Sequence, residues 1–186
     1  SLEEIQDSLS LKPLSKLYNL ETSGDNLRAT ILEVIPTLKH SKKLEKYFEL
    51  LVQNPPVGES VSYWNMISPL KDSIPFIAEN FKKTLTLLDQ EEYRPQLLSL
   101  LMPLAINDNY NSLVQEHFST ITHHLNDDYK TYKSKLDTNP NYAYSSTIYY
   151  YLNLMSRVKS DGEIIDSYTN NIINLKSAII PYYKSL

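Results

Sequence analysis

The sequence predicts an all-α fold, a bundle of eight to ten mostly antiparallel helices separated by Pro-marked breaks. Three observations lead there. Apolar residues recur at spacings of three and four in nearly every segment, the rhythm of a helix with one buried side. The chain holds only three glycines, Gly24, Gly58 and Gly162, too few for a sheet protein rich in tight hairpins. Ten prolines punctuate the periodic segments rather than interrupting them at random.

The most regular stretch is the C-terminal hairpin from Asn141 to Tyr183. Tyr144, Ile148, Tyr151, Met155 and Val158 share one helix face, and Ile164, Tyr168, Ile172, Leu175, Ile179 and Tyr182 share another. Lys159-Ser160-Asp161-Gly162 separates them, with Asp161 placed to cap the second helix. So short a link makes the helices antiparallel neighbours with a common core. Ser145 to Tyr151, rich in Thr, Ile and Tyr, has strand character, but the period running on to Val158 favours a helix.

From the N-terminus, residues 2–20 read as a helix interrupted at Pro13, with Leu9, Leu14, Leu17 and Leu20 as its apolar side. Ser23-Gly24-Asp25 breaks the chain and caps a helix carrying Leu27, Ile31, Val34, Ile35 and Leu38, which Pro36 should kink or shorten. Ser41 starts a third, with Leu44, Tyr47, Phe48 and Leu51 inward. Asn54-Pro55-Pro56-Val57-Gly58 is a linker no helix can cross, because two prolines remove donors and force extended backbone. A short helix from Ser60 to Ile67 holds Trp64 and ends at Pro69. Asp72 or Ser73 caps the next, whose buried side is Ile77, Phe81, Leu85 and Leu88. Pro95 opens a segment with Leu97, Leu98, Leu100, Leu101 and Leu104, apolar nearly all round and therefore expected deep in the core. Asn107 or Asp108 caps a helix carrying Leu113, Val114, Phe118, Ile121 and Leu125, and Asn126-Asp127-Asp128 restarts it toward Leu136. Residues 137–141 form a second loop.

At 186 residues the chain is long enough for a sizeable core. A single α-helical domain over residues 1–186 is expected, with 54–60 as the alternative sub-boundary. The first residue is Ser rather than Met, so a piece of a longer protein is expected. A net charge of −4 argues against a general nucleic-acid binder. No apolar run approaches the roughly 20 residues of a membrane span. The absence of Cys excludes disulfides, thiolate metal sites and cysteine nucleophiles, and fits a reducing compartment. The isolated glycines exclude a phosphate-cradling loop or dinucleotide fingerprint.

Four groups of residues remain as sites. His123 and His124 lie four positions before Asp127 and Asp128, so either pair can share a helix face. Zinc normally takes three protein ligands, and His117 is a third only if the helix is continuous. No metal and no cofactor is therefore expected. Adjacent carboxylates such as Glu91-Glu92 suit first turns better than acid–base catalysis, and no nucleophile elbow is present. Lys39, Lys42, Lys43 and Lys46, with His40 among them, form the densest basic patch and the candidate contact for an anion. Tyrosine is the compositional oddity, 15 against four Phe and one Trp. Tyr149-Tyr150-Tyr151 fan through roughly 200° of a helix and cannot all face one core. Tyr149, Tyr150 and Tyr183 are the candidate partner contacts, since Tyr combines apolar area with a polar tip. A wetter core built from tyrosines is the alternative.

Proline-punctuated helices such as Leu27 to Leu38 and Ile77 to Leu88, the lack of any cofactor motif, and the Tyr- and Asn-rich final hairpin give the whole chain a general character. In it the chain resembles helical subunits of vesicle-tethering complexes, such as the conserved oligomeric Golgi complex and the exocyst. The resemblance implies a non-catalytic helical bundle, cytoplasmic and peripheral on Golgi or other membranes, working through other protein subunits. From the residues, three functions are open. They are a protein-interaction module, an RNA- or phospholipid-binding domain using the Lys39–Lys46 patch, and a metal-dependent enzyme around His123, His124 and Asp128.

Overall fold

A computed structural model describes residues 11–139 and 145–157. It is all-α, with 75% of the described residues helical and no strand among them. The packing divides the chain into two compact units, Ser1–Leu100 and Leu101–Leu186. No described helix is long and apolar enough to cross a membrane.

In the first unit, α1 (Lys12–Tyr18) carries Pro13 in its first turn, where a missing N–H is tolerated. Its buried side is Leu11, Ser15 and Tyr18. The leucine stripe expected inward is not buried: Leu17 is 37% and Leu20 49% exposed. The reason is chemical. Ser15 and Tyr18 hide their hydroxyls on main-chain carbonyls, Ser15 Oγ on Leu11 at 2.7 Å and Tyr18 Oη on Asn54 at 2.5 Å. A buried hydroxyl with a partner costs little, so the bulkier Tyr18 wins the core.

Helix α2 (Asp25–Val34) passes into a 3-10 turn, Ile35–Thr37, at Pro36 as the sequence indicates. Ala29, Ile31, Leu32 and Ile35 are buried, whereas Leu27 and Val34 face outward. Helix α3 (Lys43–Gln53) buries Tyr47, Phe48, Leu50 and Leu51. After the linker come α4 (Tyr63–Ile67), a 3-10 turn at Ser68–Leu70, α5 (Ile74–Glu79) and α6 (Phe81–Leu85). Ile77, Phe81, Leu85 and Leu88 are buried as expected, although the helix is interrupted at Asn80.

The linker does not separate domains. The division falls inside α7 (Arg94–Ile106), not at 54–60. Tyrosine hydroxyls tie the linker into the first unit instead. Tyr18 donates to Asn54 O, and Tyr93 donates to Pro56 O at 2.7 Å. The Gly58 N–H donates to Tyr63 Oη at 2.9 Å, and that hydroxyl donates to Gly58 O at 3.1 Å. Gly58 has φ 147°, a conformation side-chain-bearing residues rarely adopt. Tyr47 donates to Met66 O at 2.5 Å. Burial pushes the Tyr18, Tyr47 and Tyr93 phenols well above the usual tyrosine range.

Helix α7 is buried at Leu97, Leu98, Leu100, Leu101 and Leu104, in keeping with a segment apolar on every side. The second unit continues with α8 (Asn111–Glu116), α9 (Phe118–Ile121), α10 (Leu125–Thr138) and α11 (Ser146–Arg157). Val114, Phe118, Ile121 and Leu125 are buried. The single helix expected over this stretch is broken at His117 and again at 122–124. Asn111, buried, donates from Nδ2 to Ala105 O and so closes the turn after α7.

Two outcomes follow from these phenol contacts and from Gly58. The phenols have folded pKa values above the unfolded value of about 10, so their contribution is complete below pH 10 and lost as pH rises beyond it. The loss amounts to about 1.4 kcal/mol per pH unit for each phenol that ionises only in the unfolded chain. Tyr47→Phe should cost about 1–3 kcal/mol at neutral pH, because Met66 O loses its donor, and should make the alkaline fall shallower. Denaturant unfolding between pH 7 and about pH 11.5 checks both; parallel curves for the two proteins would refute the assignment. Gly58→Ala should cost about 1–3 kcal/mol through backbone strain alone, read from the same titration at neutral pH.

Candidate interaction surfaces

The tyrosine surface belongs to the second unit. Ser145 starts α11: its Oγ accepts from the Ile148 N–H at 3.4 Å, the position an N-cap serves. The buried side is Ile148, Tyr151, Leu154 and Met155, three of them expected from the spacing. Among the described residues α11 packs on α10, and the Tyr151 hydroxyl donates to Asp128 Oδ2 at 3.3 Å. The helix expected opposite α11, from Ile164 to Tyr182, lies outside the described residues, as does Tyr183. With Tyr151 inward, Tyr150 turns away by about 100° and Tyr149 by about 200°. Tyr149 is 46% exposed and Tyr150 half-buried. Their rings meet edge to face, centroids 5.4 Å apart. The sequence treats the two as equals; the structure makes Tyr149 the outward one.

The lysine patch in the first unit is less uniform than its spelling. Lys39 and Lys42 are exposed. Lys43 Nζ donates to Pro36 O at 2.7 Å, where the 3-10 turn after α2 leaves a carbonyl to satisfy. Lys46 Nζ lies 2.8 Å from Glu49 Oε2. His40 Nδ1 accepts from the Lys42 N–H at 3.0 Å and helps begin α3. The four lysines therefore do not converge as one site: Lys42 and Lys46 line a pocket of about 210 Å³ with His40, but Glu45 and Glu49 line it too and offset their charge.

Lys46 instead joins two lysines from another helix. Lys12, Ser15, Lys16, Asn19 and Leu20 of α1 and its C-terminal end, together with Lys46 of α3, line a cleft of about 600 Å³. Sequence reasoning missed Lys12 and Lys16 because they stand some thirty positions before the dense patch. Their signal was the four-residue spacing that puts both on one helix face. Trp64 is a second residue the sequence left unassigned. It is 40% exposed, and Lys71 Nζ sits 4.6 Å from its ring centroid.

The histidine–aspartate group does not converge. His117 stands at a helix break, its Nδ1 3.1 Å from Leu113 O, so the continuous helix that would bring it near His123 is absent. His123 and His124 meet edge to face, centroids 5.0 Å apart. Asp127 is paired with Lys130 at 3.1 Å, whose hydrogen bond and charge hold the carboxyl below its usual range. Asp128 takes the Tyr151 hydroxyl. Among the described residues no three His, Cys, Asp or Glu side chains are grouped to hold a metal ion. Thermal melts with and without a chelator should therefore superimpose; a large loss of Tm on adding chelator would show a structural ion.

Compared with protein-family models, with curated proteins and with solved structures, the chain matches none of them.

Proposed function

We propose that the chain is a non-catalytic helical protein–protein interaction module, one subunit of a larger assembly. The observation that carries the reading is the Tyr149–Tyr150 pair, set on the outer side of a helix whose other side is buried. An aromatic pair with a rigid base is the kind of anchor interfaces use, because two torsions fix a large contact area. The resemblance to vesicle-tethering subunits extends the reading to intracellular transport, with a place in the cytoplasm or peripheral on Golgi membranes and other protein subunits as partners. The net charge of −4 speaks against nucleic acid as the partner. The dispersal of Lys39, Lys42, Lys43 and Lys46 gives no support to an RNA surface there.

Opposite forecasts for two residues of α11 test it. Met155 is buried, so Met155→Ala should cost about 2–5 kcal/mol by lost transfer energy and the cavity left behind. Tyr149→Ala should change stability by no more than about 0.5 kcal/mol. It should nevertheless deplete the proteins that copurify with the full-length chain from cells, as should Tyr150→Ala. Denaturant unfolding beside mass spectrometry of the captured proteins makes the comparison. An unchanged set of partners for both tyrosine variants would sink the proposal.

A further inference from the structure

The geometry points to a binding site for a multiply phosphorylated group in the cleft formed by Lys12, Lys16 and Asn19 with Lys46. The inference is independent of the tyrosine surface and rests on different residues. Lys12 and Lys16 stand one turn apart on α1, a like-charged spacing that weakens a helix rather than supporting it. A third lysine, Lys46, comes from α3 to line the same cleft. Among the described residues lining it there is no carboxylate, although the chain as a whole carries −4. Three lysine side chains lining one cleft of an acidic chain make a local field suited to an anion.

The end of α1 would ordinarily oppose this, since a helix C-terminus presents negative carbonyls. Here those carbonyls are engaged. Leu17 O accepts from Ser23 Oγ at 2.5 Å, Tyr18 O from Arg28 Nε at 3.3 Å, and Ser15 O from the Asn19 N–H at 3.2 Å. Lys46 is shared with Glu49, but that is an exposed pair in water and a weak competitor for a multiply charged ligand. Lysine binds phosphate as a compact point charge, and Asn19 adds a neutral donor. About 600 Å³ exceeds a single phosphate and falls in the range of small-molecule sites. Leu20, half exposed, supplies one apolar wall.

Titration calorimetry of the full chain with sodium pyrophosphate and with inositol hexakisphosphate probes a free ligand. Cosedimentation with phosphatidylcholine vesicles, with and without phosphatidylinositol bisphosphate, probes a headgroup. Saturable binding that weakens with salt is expected from at least one arm. Binding of the soluble anions assigns a free phosphate compound, and binding of the phosphoinositide vesicles alone assigns a membrane headgroup; both support the site. Lys12→Gln/Lys16→Gln should weaken binding by about tenfold or more, and Lys46→Gln should weaken it independently. Lys82→Gln/Lys83→Gln, exposed on α6 and outside the cleft, should bind as the parent does. No binding in any arm would overturn the inference, as would equal losses in the control variant. A Glu-rich peptide binding as tightly as pyrophosphate would also overturn it, by removing the preference for phosphate.

Discussion

The first unit depends on buried tyrosine hydroxyls meeting main-chain carbonyls of a loop that cannot satisfy itself. Asn54-Pro55-Pro56 lacks two N–H donors, yet the Asn54 carbonyl is part-buried and the Pro56 carbonyl buried where the phenols meet them. A buried carbonyl without a donor costs about as much as a lost hydrogen bond. Tyr18 from α1 and Tyr93 from the turn before α7 reach the loop with their hydroxyls, while Tyr47 of α3 reaches Met66 at the end of α4. Each phenol fixes a distance between a helix and a stretch of irregular backbone. A phenylalanine would bury similar area and leave the carbonyl alone. The excess of Tyr over Phe therefore has a structural origin at Tyr18, Tyr47 and Tyr93; Tyr151, whose hydroxyl donates to the Asp128 carboxylate, and Tyr132 are buried as well. The sequence offered two explanations for that excess, a wet core and an interface, and these five residues belong to the first.

The same device carries the breaks between short helices. Every interruption exposes carbonyls that an uninterrupted helix would use. Side chains add donors at these ends: Arg94 Nε takes Leu88 O, while Asn80 Nδ2 on Phe76 O, Thr84 Oγ1 on Asn80 O and Thr122 Oγ1 on Phe118 O each join a main-chain N–H already bonded to that carbonyl. Among the described residues no buried side-chain nitrogen or oxygen is left without a partner. With the ends satisfied, a break costs little, and the chain can turn often enough to wrap two compact units from helices mostly shorter than four turns.

What was legible in the sequence divides along these lines. Periodicity located the buried residues of 77–88 and 114–125 and the all-round burial of α7. It did not show the interruptions at Asn80, His117 and Thr122. Those residues keep φ near −100° and ψ near zero, which shifts the helix without losing the phase of the apolar stripe. No Pro or Gly marks them, so composition carries no signal. The face of α1 was misread because two stripes compete there. Leu14, Leu17 and Leu20 outweigh Leu11, Ser15 and Tyr18 in hydrophobicity, but hydroxyls with main-chain partners lie outside any hydrophobicity count. The lysine cleft was hidden for a related reason: adjacency in sequence suggested Lys39 to Lys46, while tertiary packing sets Lys42 and Lys46 among carboxylates on one side and Lys46 beside Lys12 and Lys16 on the other.

The two hidden features have one cause. At about 100° per residue, Lys16 lies roughly 200° from Tyr18 around α1, and Lys12 roughly 240°. The two lysines are thus within about 40° of each other and nearly opposite the tyrosine. Once Tyr18 is drawn inward to the Asn54 carbonyl, both ammoniums must turn outward together, and Leu17 and Leu20 must remain at the surface beside them. Had the leucine stripe taken the core instead, Leu17 would have turned α1 by about 100°. The lysines would then have left the side that now lines the cleft with Lys46. One hydrogen bond from a phenol to a proline-flanked carbonyl therefore chooses the buried face of α1. In choosing it, that bond also determines which charges the first unit presents to its surroundings.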